Sequence, residues 1–90
     1  MTTRSTITNR IDAVIWSLER EDLPTAELLA ENLRNGLNES PSPRWDALTA
    51  AKIREASGRG ISLIRRGAQV LALKEFRKAL RDWLQQVEHT

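Results

Sequence analysis

The stretch that decides the fold is LKEFRKALRDWLQQV, residues 73–87, in which apolar side chains recur every three or four positions. This spacing is typical of a helix with one apolar face. That face would consist of Leu73, Phe76, Leu80, Trp83, Leu84 and Val87. The sequence therefore predicts a long amphipathic C-terminal helix, over about residues 68–88.

Four cations in the same stretch fall on the side opposite the apolar face. Their spacing of i, i+3, i+4 and i+7 places them on one side of a helix. We call these residues the basic stripe: Lys74, Arg77, Lys78 and Arg81. Because they share one sign of charge on a face turned to water, the basic stripe is the clearest functional signal in the chain.

The remainder of the chain repeats the helical pattern. A first helix is expected from Thr6 or Thr8, as N-cap, to Arg20, and a second from Pro24 or Thr25 to about Asn35. The apolar face of the first helix would consist of Ile7, Ile11, Val14, Ile15 and Leu18, and that of the second of Ala26, Leu29, Ala30, Leu33 and Leu37.

Glycine and proline set the expected breaks. Gly36 is predicted to close the second helix, and a third helix is predicted from Ser42 to about Ala56. The run Ser57-Gly58-Arg59-Gly60 is predicted to end that third helix. A short helix at about 61–66 would then stop at Gly67. Because aromatic and β-branched residues are scarce, the fold class is all-α, a small bundle of four to five helices.

Length and charge describe one domain with two unlike parts. Ninety residues make a single helical domain. We divide it into an acidic helical hairpin (1–37), a Pro/Ser linker (38–43) and a basic helical part (44–90). Residues 1–40 carry a net charge of −3 and residues 41–90 a net charge of +5. The two parts would either contact different partners, pair head to tail between copies, or attract each other within one fold.

The composition argues against most enzyme chemistry. There is no cysteine, and the single histidine, His89, lies next to the end of the chain. A thiolate metal site, a Cys–His pair and a Ser–His triad on a rigid element are therefore not expected. Glu27 and Glu31 lie four residues apart on one helix, which is typical of a solvated face. We predict no catalytic, cofactor-binding or metal-binding residues.

Location follows from the same composition. The absence of cysteine fits a reducing compartment, and no apolar run approaches the length of a membrane span. A cytoplasmic protein that does not bind membranes is expected.

Trp16 is the strongest candidate for a contact with another protein. At helical spacing it lies opposite the centre of the apolar face of the first helix. An exposed tryptophan is a good interface anchor, and packing beneath a neighbouring helix is the alternative. Trp45 and Trp83 stand among apolar residues and are expected in the core. With Trp16 as anchor, the basic stripe would complement a protein partner that has an acidic surface.

Nucleic acid is the alternative ligand. Cations concentrated in the C-terminal half could neutralise phosphates. The candidate residues are Lys52, Arg54, Arg59, Arg65 and Arg66. A helix-turn-helix frame around Gly58 fits poorly, because Arg54 falls where a small residue is needed and Gly67 where a core side chain is needed. In a frame around Ala30, Pro41 and Pro43 would break the second helix.

The sequence therefore favours a non-enzymatic, homodimeric interaction protein that acts by binding another protein, as an adaptor, inhibitor or regulator. A DNA- or RNA-binding regulator is the second hypothesis.

Overall fold

A computed structural model describes the backbone of residues 4–39 and 47–88, and the side chains of residues 7–37 and 50–86. These residues form four α-helices and no strand. The helices are α1 (Arg4–Glu19), α2 (Leu23–Glu39), α3 (Ala47–Arg65) and α4 (Gln69–Glu88). The expected all-α class is confirmed for the described part of the chain.

The four helices pack as a ring in which each contacts two neighbours. α1 packs against α2 and α4, and α3 packs against the same two helices. Short turns make α1 and α2 antiparallel, and likewise α3 and α4. Two hydrogen bonds show that α4 also runs opposite to α1: Gln69 Nε2 donates to the Leu18 carbonyl at 2.6 Å, and Trp83 Nε1 donates to Thr8 Oγ1 at 3.0 Å. The arrangement is an up-and-down four-helix bundle.

The two described turns use the same hydrogen-bond pattern. After α1, the Glu21 amide donates to the Leu18 carbonyl and the Asp22 amide to the Ser17 carbonyl. After α3, the Gly67 amide donates to Ile64 and the Ala68 amide to Leu63. Both are Schellman motifs, which require a left-handed residue just beyond the helix. That residue is Glu21 at φ 58° in the first turn and Gly67 at φ 74° in the second.

The start of α2 follows the expected signals. The Asp22 carboxylate accepts the Thr25 amide at 3.3 Å, so Asp22 is the N-cap. Pro24 lies in the first turn of α2, where its missing N–H leaves no hydrogen bond unmade. The start of α1 differs from the prediction. Arg4 already belongs to α1, and Thr8 lies inside the helix with its hydroxyl bound to Trp83.

The core contains side chains from all four helices. The buried apolar residues are Ile7, Ile11, Val14, Ile15, Leu18, Ala26, Ala30, Leu33, Leu37, Ala50, Ile53, Ala56, Ile61, Ile64, Ala72, Phe76, Ala79 and Trp83. Every residue predicted for the inner face of α1 is among them. In α4 the buried line runs through two alanines, Ala72 and Ala79, while Leu73 and Leu80 are half-buried and Leu84 is exposed.

The predicted break at residues 57–60 is wrong, since α3 continues through it to Arg65. Gly60 is buried inside the helix because the Phe76 ring of α4 packs directly against its backbone. A Cβ at residue 60 would lie 2.6 Å from Cζ of Phe76. The glycine therefore allows close packing of α3 and α4, and no helix ends there. The separate short helix predicted at 61–66 is therefore the last part of α3, which stops before Gly67, where a helix end was expected.

The predicted end of α2 at Gly36 is also wrong. α2 continues to Glu39, so the first two residues of the predicted 38–43 linker are helical. Residues 40–43, the predicted N-cap Ser42 and Trp45 lie outside the described residues.

Candidate interaction surfaces

Trp16 lies on the outer face of α1, in contact with water. It is 60% exposed, whereas Trp83 is 2% exposed. The Arg20 guanidinium stacks over the Trp16 ring, 4.4 Å from its centroid, a cation–π contact that leaves most of the ring accessible. The side chain lines a shallow depression with Asn9, Asp12, Ala13 and Glu19. The alternative that Trp16 packs under a neighbouring helix is not what the structure shows.

The basic stripe lies on the outer face of α4, and all four of its side chains are exposed. The buried residues Ala72, Phe76, Ala79 and Trp83 occupy the opposite face. Arg77 leans toward α1, where its Nη2 lies 3.7 Å from Glu19 Oε2. Lys78 leans the other way, into the groove between α4 and α3. Within the described residues, Lys74, Lys78 and Arg81 make no ion pair.

Apolar side chains accompany the basic stripe at both ends. Val70 is 68% exposed and Leu71 is 55% exposed at the start of α4, and Leu84 is exposed one turn beyond Arg81. The outer face of α4 therefore offers positive charge flanked by apolar surface, a composition that suits a protein interface better than a purely charged face does.

Arg65 joins the acidic and basic parts of the chain. Its Nε lies 2.6 Å from Glu27 Oε1, and its Nη2 lies 2.9 Å from Glu31 Oε1. The hydrogen bond to Glu27 is the largest cause of a raised pKa for Arg65, followed by the charge of Glu27 and then that of Glu31. The two carboxylates expected on a solvated face therefore form ion pairs that connect α2 with α3.

The cations proposed for nucleic acid do not share one face of α3. Lys52 and Arg59 line the groove toward α4, where Arg59 Nε lies 2.8 Å from Glu75 Oε1. Arg65 points the other way, toward α2. Arg54 precedes Arg65 by close to three helical turns and so lies on the same flank. Arg66 is exposed at the end of the helix. A continuous basic surface is not formed by these five residues.

The groove between α3 and α4 is lined by charges of both signs. It has a volume of about 270 Å³. From the Arg59–Glu75 contact, the antiparallel register places Glu55 opposite Lys78 and Lys52 opposite Asp82. The charged side chains along it are Lys52, Glu55, Arg59, Glu75, Lys78 and Asp82. Charges of both signs therefore line this groove, and Arg59 and Glu75 form an ion pair in it.

A second groove, between α1 and α2, was not anticipated from the sequence. It has a volume of about 560 Å³ and is lined by Asn9, Arg10, Ala13, Leu29, Asn32, Asn35 and Gly36. Among the side chains that the structure describes, Arg10 is the only charged one in this lining. One signal in the sequence pointed to it: the apolar stripe of α2 continues to Leu37, beyond the glycine that was expected to end the helix.

None of the helices in the described part of the chain is long and apolar enough to cross a membrane. The described side chains contain no group of three or more acidic, histidine or cysteine residues placed to hold a metal ion. His89 lies outside the described residues.

No protein-family model, curated protein sequence or solved structure matches this chain.

Proposed function

We propose that this chain is a small, non-enzymatic interaction protein that binds acidic protein surfaces through the outer sides of α1 and α4, and that it works as a homodimer. We call this surface the α1/α4 face; it comprises Asp12, Trp16 and Glu19 of α1, the basic stripe, and the exposed Val70 and Leu84.

The observation that carries the proposal is the exposure of Trp16. The fold buries Trp83 and Phe76 completely but leaves 60% of Trp16 in water. Large aromatic side chains contribute strongly when they are covered at an interface, and tryptophan is enriched among the residues that dominate binding energy. The proposal gives the exposed ring a partner that covers it.

The basic stripe supplies the charge that the partner must match. Its exposed cations favour an acidic surface, and such complementarity mainly raises the association rate and selects the partner. Arg77 is partly satisfied within the chain by Glu19, so Lys74 and Arg81 are the cations most available to a partner.

A second copy of the chain carries an acidic surface of this kind. Asp12 and Glu19 flank Trp16 on α1 and are exposed, and Glu21 and Asp22 extend the acidic row into the turn. Two basic stripes placed against each other would repel. A two-fold rotation that lays the acidic row of one copy on the basic stripe of the other satisfies both charges and covers both Trp16 rings.

Trp16→Ala tests the anchor. We expect a loss of about 2 kcal/mol in association free energy, roughly thirtyfold in Kd, with unchanged helicity and melting temperature. Leu28→Ala is the matched control, because Leu28 is 59% exposed but lies on α2. Association that survives Trp16→Ala, or unfolding of that variant, would remove Trp16 as the anchor.

The nature of the partner is tested by capture from host lysate with and without nuclease. A protein partner retained after nuclease, and lost when Lys74 and Arg81 are both changed to Glu, is the expected result. Capture that depends on nucleic acid would instead favour the DNA- or RNA-binding hypothesis, for which the α3 cations point to two different flanks.

A further inference from the structure

The groove between α1 and α2 differs from the groove between α3 and α4 because the charged side chains described in its lining are of one sign only. Arg10 is half-buried in it and makes no ion pair or hydrogen bond with any residue whose side chain the structure describes. Arg59, Arg65 and Arg77 each lie against a carboxylate. Arg10 is thus a guanidinium held in a groove without a counter-charge from the described side chains.

Gly36 creates the place where Arg10 lies. It is buried in the interior of α2, where glycine is less favourable than alanine. A Cβ at residue 36 would overlap Nη1 of Arg10 and would lie 3.4 Å from its Cζ. The guanidinium therefore rests directly against the α2 backbone, and the glycine fixes its position on the groove wall.

The rest of the groove is neutral and able to form hydrogen bonds. Asn9, Asn32 and Asn35 are exposed amides along its length, and Ala13 and Leu29 add apolar surface. Each asparagine offers both a donor and an acceptor, which is the pair that a peptide group presents. An extended peptide can therefore bind to these amides through its main chain.

The charge of the groove selects the anion. A guanidinium binds carboxylate and phosphate with two parallel hydrogen bonds. Arg10 supplies one positive charge, while residues 1–40 carry a net charge of −3. A carboxylate monoanion is neutralised by this single arginine, whereas a phosphate dianion would leave excess negative charge in an acidic region of the protein.

We propose that the α1/α2 groove is a binding site for an extended acidic peptide segment, with one carboxylate paired to Arg10 and the peptide main chain hydrogen-bonded to the asparagine amides. The site goes beyond the proposed function, since it lies on the α2 side of α1 and needs neither the basic stripe nor the dimer.

The test uses the full chain and a blocked tripeptide, acetyl-Gly-Glu-Gly-amide, followed by NMR. The expected result is saturable shifts of the Arg10 side-chain N–H and of the Asn32 and Asn35 amides. The isosteric acetyl-Gly-Gln-Gly-amide should bind roughly tenfold more weakly, because it lacks the charge-assisted hydrogen bonds. Acetate and inorganic phosphate, at matched ionic strength, should each bind more weakly than the glutamate peptide.

Gly36→Ala gives the sharpest variant. The added methyl group displaces the guanidinium while favouring the helix, so binding should fall roughly tenfold without unfolding. Gly58→Ala is the matched control, since a Cβ there meets nothing within 4 Å and peptide binding should be unchanged. Arg10→Gln should abolish the preference for the glutamate peptide over the glutamine peptide.

Several results would overturn the proposal. Equal binding of the glutamate and glutamine peptides would show that the carboxylate is not recognised. Acetate binding as tightly as the glutamate peptide would show that the asparagines do not contribute. Phosphate binding more tightly than the glutamate peptide would show that the groove prefers a phosphate to a carboxylate. Unchanged peptide binding by a folded Gly36→Ala variant would show that Arg10 does not need its present position. Loss of dimerisation, by contrast, bears only on the α1/α4 face.

Discussion

The two helical hairpins, α1/α2 and α3/α4, share the same construction but differ in the side chain that packs against the buried glycine of each. Each closes with a Schellman motif, and each has a buried glycine inside a helix that receives a side chain from the facing helix. In the α3/α4 hairpin, Gly60 receives the Phe76 ring and the contact belongs to the core. In the α1/α2 hairpin, Gly36 receives the Arg10 guanidinium and the contact belongs to a groove open to water.

The grooves of the two hairpins show the same contrast. The α3/α4 groove is lined by charges of both signs, including the Arg59–Glu75 ion pair. The α1/α2 groove is lined by asparagines and one arginine, whose side chains can form hydrogen bonds with a ligand. At Gly36 and Gly60 the helical glycine allows a neighbouring group to approach closely, whereas a Cβ at Gly58 would meet nothing within 4 Å.

The two glycines that receive a side chain from the facing helix, Gly60 and Gly36, should show the largest difference in stability when each is changed to alanine. Gly60→Ala should destabilise the fold by about 2 kcal/mol, because overpacking against a buried ring outweighs the gain of about 1 kcal/mol in helix propensity. For a domain of this size the melting temperature should fall by about 10 °C. Gly36→Ala should not lower the melting temperature, since the flexible end of the Arg10 side chain can move aside. If thermal unfolding showed the same fall in melting temperature for Gly60→Ala and Gly36→Ala, the distinction between a core contact and a groove contact would be contradicted.

Substitutions at the two left-handed turn residues, Gly67 and Glu21, should change the free energy of unfolding by smaller amounts and in opposite directions. Gly67→Ala places a side chain at φ 74° and should cost about 1 kcal/mol. Glu21→Gly relieves the same strain at φ 58° and should gain roughly 0.5 kcal/mol, reduced by the greater freedom of glycine in the unfolded chain. Urea unfolding of both variants measures the difference. A destabilising Glu21→Gly change would mean that the Glu21 side chain stabilises the turn by another contact.

The ion pairs between the hairpins should matter least. Arg65 contacts Glu27 and Glu31 at the surface, where solvent and salt screen the attraction. Arg65→Gln should therefore change stability less than any of the glycine substitutions, and the change should shrink further as salt is added. If Arg65→Gln lowered the free energy of unfolding by more than Gly67→Ala does at high salt, Arg65 would contribute through packing rather than through charge.

Periodicity predicted the helices and the core well, because burial of one face is a local property of the sequence. All five apolar residues of α1 are buried where expected, and the basic stripe of α4 is exposed where expected. The buried line of α4 runs through Ala72 and Ala79, while Leu73 and Leu80 are half-buried, which the hydrophobicity pattern did not indicate.

The glycines were the main failure. Gly36, Gly58 and Gly60 all lie inside helices, although all three were assigned to a helix end or a break. Glycine is permissive, so its local meaning is ambiguous, and only the facing side chain distinguishes a cap from a close approach. The Arg10 groove escaped prediction for the same reason, since Arg10 and Gly36 lie 26 positions apart in the sequence.

The α1/α4 face is best tested by sedimentation equilibrium of the wild-type chain beside Trp16→Ala. The wild-type protein should reach the mass of two chains as concentration rises, and Trp16→Ala should remain a folded monomer over the same range. A wild-type protein that stays monomeric at the highest concentration, or a Trp16→Ala protein that dimerises as well, would contradict the account.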